Sequence, residues 1–148
     1  MTQTLVNFLN GAKNKDFAIQ QGTHVHELLR RVIIDNVVHV GDSDIIKNIE
    51  KHPELVPFFA SNAQTEVPIA GVINGVFISR RIDRLLINHD TKTIDFIDYK
   101  TDINKTEFIE KYKHQLKEYA QLLHSAYPDY KVNGYILWLH DWELSWVV

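Results

Sequence analysis

The chain contains no cysteine. That excludes a disulfide framework, a zinc–thiolate site and an iron–sulfur cluster, and it makes a reducing cytoplasm the simplest home. Long hydrophobic runs are also missing. Nothing approaches the roughly 18 apolar residues needed to cross a membrane, and the N-terminus has no signal-peptide pattern. There is no excess of positive charge either. The formal net charge is −3 at pH 7, so no global basic field advertises a polyanionic partner. No internal repeat, low-complexity tract, linker or phosphate-binding Gly-x-x-x-x-Gly-Lys loop interrupts the sequence. What is there, 148 residues of ordinary apolar and charged content, fits one domain over residues 1–148 with room for a real core.

The first sixty residues read as helical. Leu5, Phe8 and Leu9 suggest a short helix within Thr2 to Gln20. Gly22 opens a second helix running to about Val38, because Val25, Leu28, Leu29, Val32 and Ile33 repeat at three and four. His26 borders that apolar face. Asp42 or Ser43 is placed to cap a short helix through Ile45, Ile46 and Ile49, and Pro53 and Pro57 bracket a further helical turn ending near Phe59.

From residue 61 onward the period changes to that of a sheet. Gln64 to Ala70 reads as a strand, with Pro68 suggesting an edge or a bulge. Gly71 and Asn74-Gly75 are turn signals. Val76 to Leu86 and Thr93 to Lys100 are the next strands. A long helix over about 106–126 follows, with Phe108, Tyr112, Leu116, Tyr119 and Leu123 as its apolar positions and Pro128 as its stop. Strands over Lys131 to Leu139 and Trp142 to Val148 complete the chain. This order predicts an α/β fold with a central mixed sheet flanked by helices.

Charge is concentrated where burial is expected. Asp98 and Lys100 are two apart on a strand that also carries Ile94 and Phe96, so they share a face. Chain reversal through Asn88 to Lys92 can return Asp83 to the side of Asp98, with cross-strand neighbours about 5 Å apart. Two adjacent carboxylates repel, and a divalent cation relieves that repulsion. Lys100 then sets a cationic donor where a phosphate or an attacking water could be held. Arg80, Arg81, Arg84, Lys105, Lys111, Lys113 and Lys117 add local positive charge to the same third of the chain. The three lysines of the long helix are either a solvated face or a phosphate track. Trp138, Trp142 and Trp146 read mainly as packing, with base stacking as the other use.

These fragments resemble the PD-(D/E)XK nucleases, most closely the C-terminal nuclease domain of AddA- and RecB-type helicase–nucleases. Gly22-Thr-His-Val-His26-Glu-Leu-Leu looks like the family's opening helix motif, and Glu66-Val-Pro68 like its glutamate-x-proline strand. Arg81-Ile-Asp83-Arg84-Leu and Ile97-Asp98-Tyr99-Lys100-Thr101 are similar to its two metal-site segments. Gln115-Leu-Lys-Glu-Tyr119 is similar to the motif on the helix that follows. The resemblance covers nearly the whole chain, with the five fragments in the family's order.

The resemblance implies a restriction-endonuclease-like three-layer fold and a Mg²⁺- or Mn²⁺-dependent deoxyribonuclease. His26, Asp83, Asp98 and the Tyr99 carbonyl would hold the metal, and Lys100 would be the catalytic lysine, as a base or as electrostatic support. Glu66 would act near the metal or make a structural hydrogen bond. Gln115, Tyr119 and Arg84 would contact substrate, or Gln115 and Tyr119 would orient Lys100. The implied partners are single-stranded DNA or duplex ends, together with helicase domains or a helicase–nuclease subunit in recombination and repair. A catalytically inactive nucleic-acid-binding or docking module of the same fold, and an RNA-directed nuclease, are the alternatives.

Overall fold

The computed structural model describes residues 24–36 and 38–148. The expected helix within Thr2 to Gln20, and the Gly22-Thr23 start of the next one, lie outside the described residues. Residues 24–30 are helical (α1) and bury Val25 and Leu29. The helix does not continue to Val38 as the periodicity suggested. It gives way to a two-residue strand, β1 (Ile33–Ile34), paired antiparallel with β2 (His39–Val40). Val32, Ile33 and Ile34 are β-branched, and such residues lose side-chain freedom in a helix and favour extended backbone. Asp35 closes the connection, its N–H donating to the Val38 carbonyl at 3.2 Å.

Asp42 caps α2 (Ser43–Glu50), its carboxylate accepting from the Asp44 and Ile45 backbone N–H groups at 3.0 Å. A 3₁₀ helix follows over Pro53–Phe59 and buries Leu55, Phe58 and Phe59.

Five strands make the sheet, in spatial order β3-β4-β5-β6-β7. They are β3 (Gln64–Ile73), β4 (Val76–Asn88), β5 (Thr93–Lys100), β6 (Lys131–Trp138) and β7 (Glu143–Trp146). All neighbours are antiparallel except β5 and β6, which run parallel. A parallel pair needs a long crossover. Here that is α3 (Lys105–Ala126), capped by Asn104, whose side chain accepts from the Glu107 N–H. The sheet is therefore mixed, as expected, and Pro68 lies on an edge strand where its missing N–H is tolerated.

Asn74-Gly75 forms the two-residue hairpin turn, both with positive φ (51° and 78°). Gly71 is not a turn residue. It lies inside β3 opposite Ile78, and a Cβ there would come within 2.8 Å of Leu122 on α3. The glycine lets the helix approach the strand.

Alternation along β5 and β6 sorts the core into two layers. Ile97, Tyr99, Leu137 and Leu139 pack with α1, α2 and the 3₁₀ helix. Ile94, Phe96, Ile136 and Trp138 pack with Tyr112, Leu116, Tyr119 and Leu123 of α3. On β4 the alternation breaks, and Ile82, Asp83, Arg84 and Leu85 are all buried. Arg84 reaches into the first layer. Its Nη2 donates to the Leu29 and Val32 carbonyls (2.6 and 2.8 Å), Nη1 to the Phe58 carbonyl (3.1 Å) and Nε to the Tyr99 hydroxyl (3.1 Å). Its guanidinium also covers the Phe59 ring at 4.2 Å. The side chain thus satisfies carbonyls where α1 ends and ties α1 and the 3₁₀ helix to the sheet. Among the described residues no helix is long and apolar enough to cross a membrane.

Replacing this guanidinium leaves buried carbonyls without a donor, so Arg84→Met should lower unfolding stability by about 3 kcal/mol. Arg84→Lys should recover less than half of that, because one ammonium cannot match four spread acceptors. Urea unfolding of the three proteins measures both differences. Equal stability of wild type and Arg84→Met would remove Arg84 from this role.

Candidate active site

Four elements converge where β4 leaves the side of β5. Their register pairs Arg84 with Ile97. Beyond that pair, Asp83 on β4 lies near enough to Asp98 on β5 for its charge to act on that carboxyl. The two are 9% and 6% exposed. Asp83 Oδ2 accepts the Tyr99 backbone N–H at 2.8 Å, which fixes that carboxylate against the end of β5. His26 comes from α1. Its Nδ1 is 3.5 Å from Asp83 Oδ1, and its ring meets Tyr99 edge-on with centroids 5.2 Å apart.

Lys100 lies on the α3 side of the sheet with Asp98. Its Nζ is 2.8 Å from Asp98 Oδ2 and donates to Gln115 Oε1 at 2.9 Å. The Gln115 amide in turn donates to the Tyr119 hydroxyl at 2.8 Å. Gln115 and Tyr119 are one helical turn apart, so a single face of α3 supplies both. That face holds a third member, Tyr112, whose ring centroid is 4.2 Å from Lys100 Nζ. The Tyr112 hydroxyl donates to Asp102. The helical spacing marked Tyr112 only as core. The signal for more was its place three residues before Gln115, on the face turned to Lys100.

Burial and like charge govern the electrostatics. Burial pushes the Asp98 carboxyl up; Lys100 pulls it back and the nearby Asp83 pushes it up again, leaving it at about 6. Asp98 Oδ2 is paired with Lys100 at 2.8 Å in this buried setting. Burial pulls the His26 imidazole down, but Asp83, with Asp98 and Glu66 behind it, outweighs burial and holds the ring above its usual value. Burial and then the Asp98 charge push the Tyr119 phenol up to about 12, against the Gln115 amide that favours the ionised form.

The other expected site residues divide. Glu66 has φ 52° on β3, lies 3.9 Å from Arg81, and is close enough for its charge to act on His26. Arg84 is 1% exposed with its donors engaged on the opposite side of the sheet. The expected substrate contact is thus corrected to a structural one. Lys111 and Lys117 are exposed and Lys113 pairs with Glu110 at 3.5 Å. Trp138 and Trp142 are buried, as packing requires, and Trp146 is 66% exposed.

No three His, Asp or Glu side chains among the described residues are drawn together into a ready metal cage. The donor set nevertheless suits a hard cation. The Asp83 charge acts on the buried Asp98 carboxyl, and the His26 imidazole lies 3.5 Å from Asp83. Comparison with family models and with curated proteins finds no match to this chain.

The raised Asp98 pKa has a consequence for stability. Between its ordinary value of 3.8 and about 6 the folded protein holds a proton that the unfolded chain has lost. Stability therefore falls as pH rises through that window. In Asp98→Asn this component is absent. Urea unfolding in chelator from pH 3.5 to 7.5 should show the decline in wild type and a flatter profile in the variant. Equal slopes would show that Asp98 is not under this load.

Proposed function

We propose that this chain is a metal-dependent deoxyribonuclease that hydrolyses phosphodiester bonds in single-stranded DNA or at duplex ends. In this reading it has the restriction-endonuclease-like three-layer fold of the PD-(D/E)XK nucleases. The observation that carries the reading is the buried pair Asp83 and Asp98 with Lys100 Nζ 2.8 Å from one of them. Buried like charges are expensive to maintain. A structural role for the pair would be better served by one carboxylate and one amide, whereas a cation site needs both charges.

His26, Asp83, Asp98 and the Tyr99 carbonyl would hold Mg²⁺ or Mn²⁺. When bound, the ion supplies charge stabilisation for the phosphorane-like transition state and a more acidic water. The remaining work belongs to the chain's own groups. Lys100 donates to a non-bridging phosphate oxygen or positions the attacking water beside Asp98. Gln115 holds the lysine amine at that position and is itself oriented by Tyr119. Exposed Arg80 and Arg81 on β4 and Lys111 and Lys117 on α3 supply the local positive charge that a backbone phosphate needs. The net charge of −3 makes delivery of DNA by helicase domains or a partner subunit the natural arrangement.

One observation favours a non-catalytic nucleic-acid-binding or docking module instead: Lys100 is already engaged by Asp98 and Gln115. An RNA substrate would use the same groups. One experiment separates these readings. End-labelled single-stranded DNA and RNA of one sequence are incubated with the protein in Mg²⁺, in Mn²⁺ and in chelator. DNA should be cut only with metal. Asp98→Ala and Lys100→Ala should each lower the rate by about 10³-fold, with unchanged circular dichroism. Undiminished cutting in both variants contradicts the assignment. Binding without cutting selects the inactive module, and preferential cutting of RNA selects the third reading.

A further inference from the structure

We propose that Tyr112 is a positioning residue for Lys100, its ring face carrying the lysine ammonium beside Asp98 while Asp102 fixes the ring. Lysine ends in a compact charge on a flexible four-carbon stem, and leaves that charge mobile unless the surroundings confine it. At this site the confinement comes from two elements. Asp98 lies on the lysine's own strand; Gln115 and Tyr112 both come from α3. Gln115 offers a single neutral acceptor. The Tyr112 ring offers a broad negative face at 4.2 Å, and the lysine side chain is only 16% exposed, so water does little to weaken the attraction.

The ring is itself held on three sides. Phe108 stacks on it at 6.0 Å with planes 26° apart, and Trp138 meets it at 6.1 Å with planes 53° apart. Its hydroxyl donates to the Asp102 carboxylate in the connection between β5 and α3. A carboxylate acceptor draws the phenol proton away from the oxygen and enriches the ring face that Lys100 meets. Asp102 is thus one of three holds on the ring, and without the hydroxyl Phe108 and Trp138 still keep its face toward Lys100.

The kinetic consequence rests on the nuclease reading; the placement does not, and the two are tested separately. In NMR spectra of the wild-type chain, the Lys100 ε-methylene protons, assigned by their loss in Lys100→Arg, should be displaced upfield by the ring. They should also show nuclear Overhauser contacts to the Tyr112 ring protons. Tyr112→Phe should keep the upfield position and Tyr112→Leu should abolish it. In cleavage assays Tyr112→Phe should stay within about twofold of wild type, whereas Tyr112→Leu should lose about tenfold in kcat with KM unchanged.

A merely structural tyrosine would shift the lysine resonance by proximity alone, so the loss in kcat with KM unchanged in a folded Tyr112→Leu protein is what separates positioning from packing. An undisplaced Lys100 resonance in wild type, absent contacts to the ring, or an unaltered kcat in a folded, active Tyr112→Leu protein would each overturn the proposal. The wild-type spectrum decides the placement even if the leucine variant does not fold. A displaced, ring-contacted lysine in a protein that cuts no phosphodiester would uphold the placement and overturn the nuclease reading instead.

Discussion

Two carboxylates at the end of a buried strand pair set the terms for the rest of this molecule. Asp83 and Asp98 lie just past the last β4–β5 pair, Arg84 with Ile97, where the Asp83 charge acts on Asp98. Neither has a wide path to water. Loss of solvent and the Asp83 charge both raise the proton affinity of Asp98. The fold answers with Lys100 on one side, His26 on the other and the Tyr99 backbone N–H against Asp83. These partners lessen the load without removing it, since Asp98 still ends well above the ordinary carboxylate range at about 6. An arrangement that keeps residual repulsion at a fixed point fits the capture of positive charge there.

The neighbouring residue shows how that point is kept rigid. Arg84 directly follows Asp83, and its guanidinium binds carbonyls of α1 and the 3₁₀ helix together with the Tyr99 hydroxyl. Tyr99 directly follows Asp98. The two residues that anchor the helical layer are thus adjacent in sequence to the two that build the acidic pair. Because α1 carries His26, the same anchor also sets the distance between imidazole and carboxylate.

Local rules made much of this legible. The bounds of β5, the Asn74-Gly75 turn, the Asp42 cap and the buried face of α3 follow from alternation, turn chemistry, capping and helical spacing. That the Asp83 charge acts on Asp98 is in keeping with the strand reversal between them. What sequence could not show was settled by tertiary contact. The end of α1 lies at residue 30 because β-branched residues and Arg84 terminate it, although the apolar spacing runs on. Gly71 had the look of a turn because the approach of Leu122 has no local signature. Arg84 had the look of a substrate ligand because its carbonyl partners are 26 to 55 residues away in sequence. Tyr112 was readable as an apolar helix position, but its contact with Lys100 needed α3 to be laid on the sheet.

The central claim is that Asp83 and Asp98 jointly receive a divalent cation, and Mn²⁺ binding measured by water-proton relaxation tests it most directly. The account expects the wild-type chain to bind Mn²⁺ saturably, with Mg²⁺ competing. Asp83→Asn and Asp98→Asn should each weaken binding at least tenfold, a loss of about 1.4 kcal/mol or more. Mn²⁺ affinity unchanged in both variants, or no saturable binding by the wild type, would contradict it.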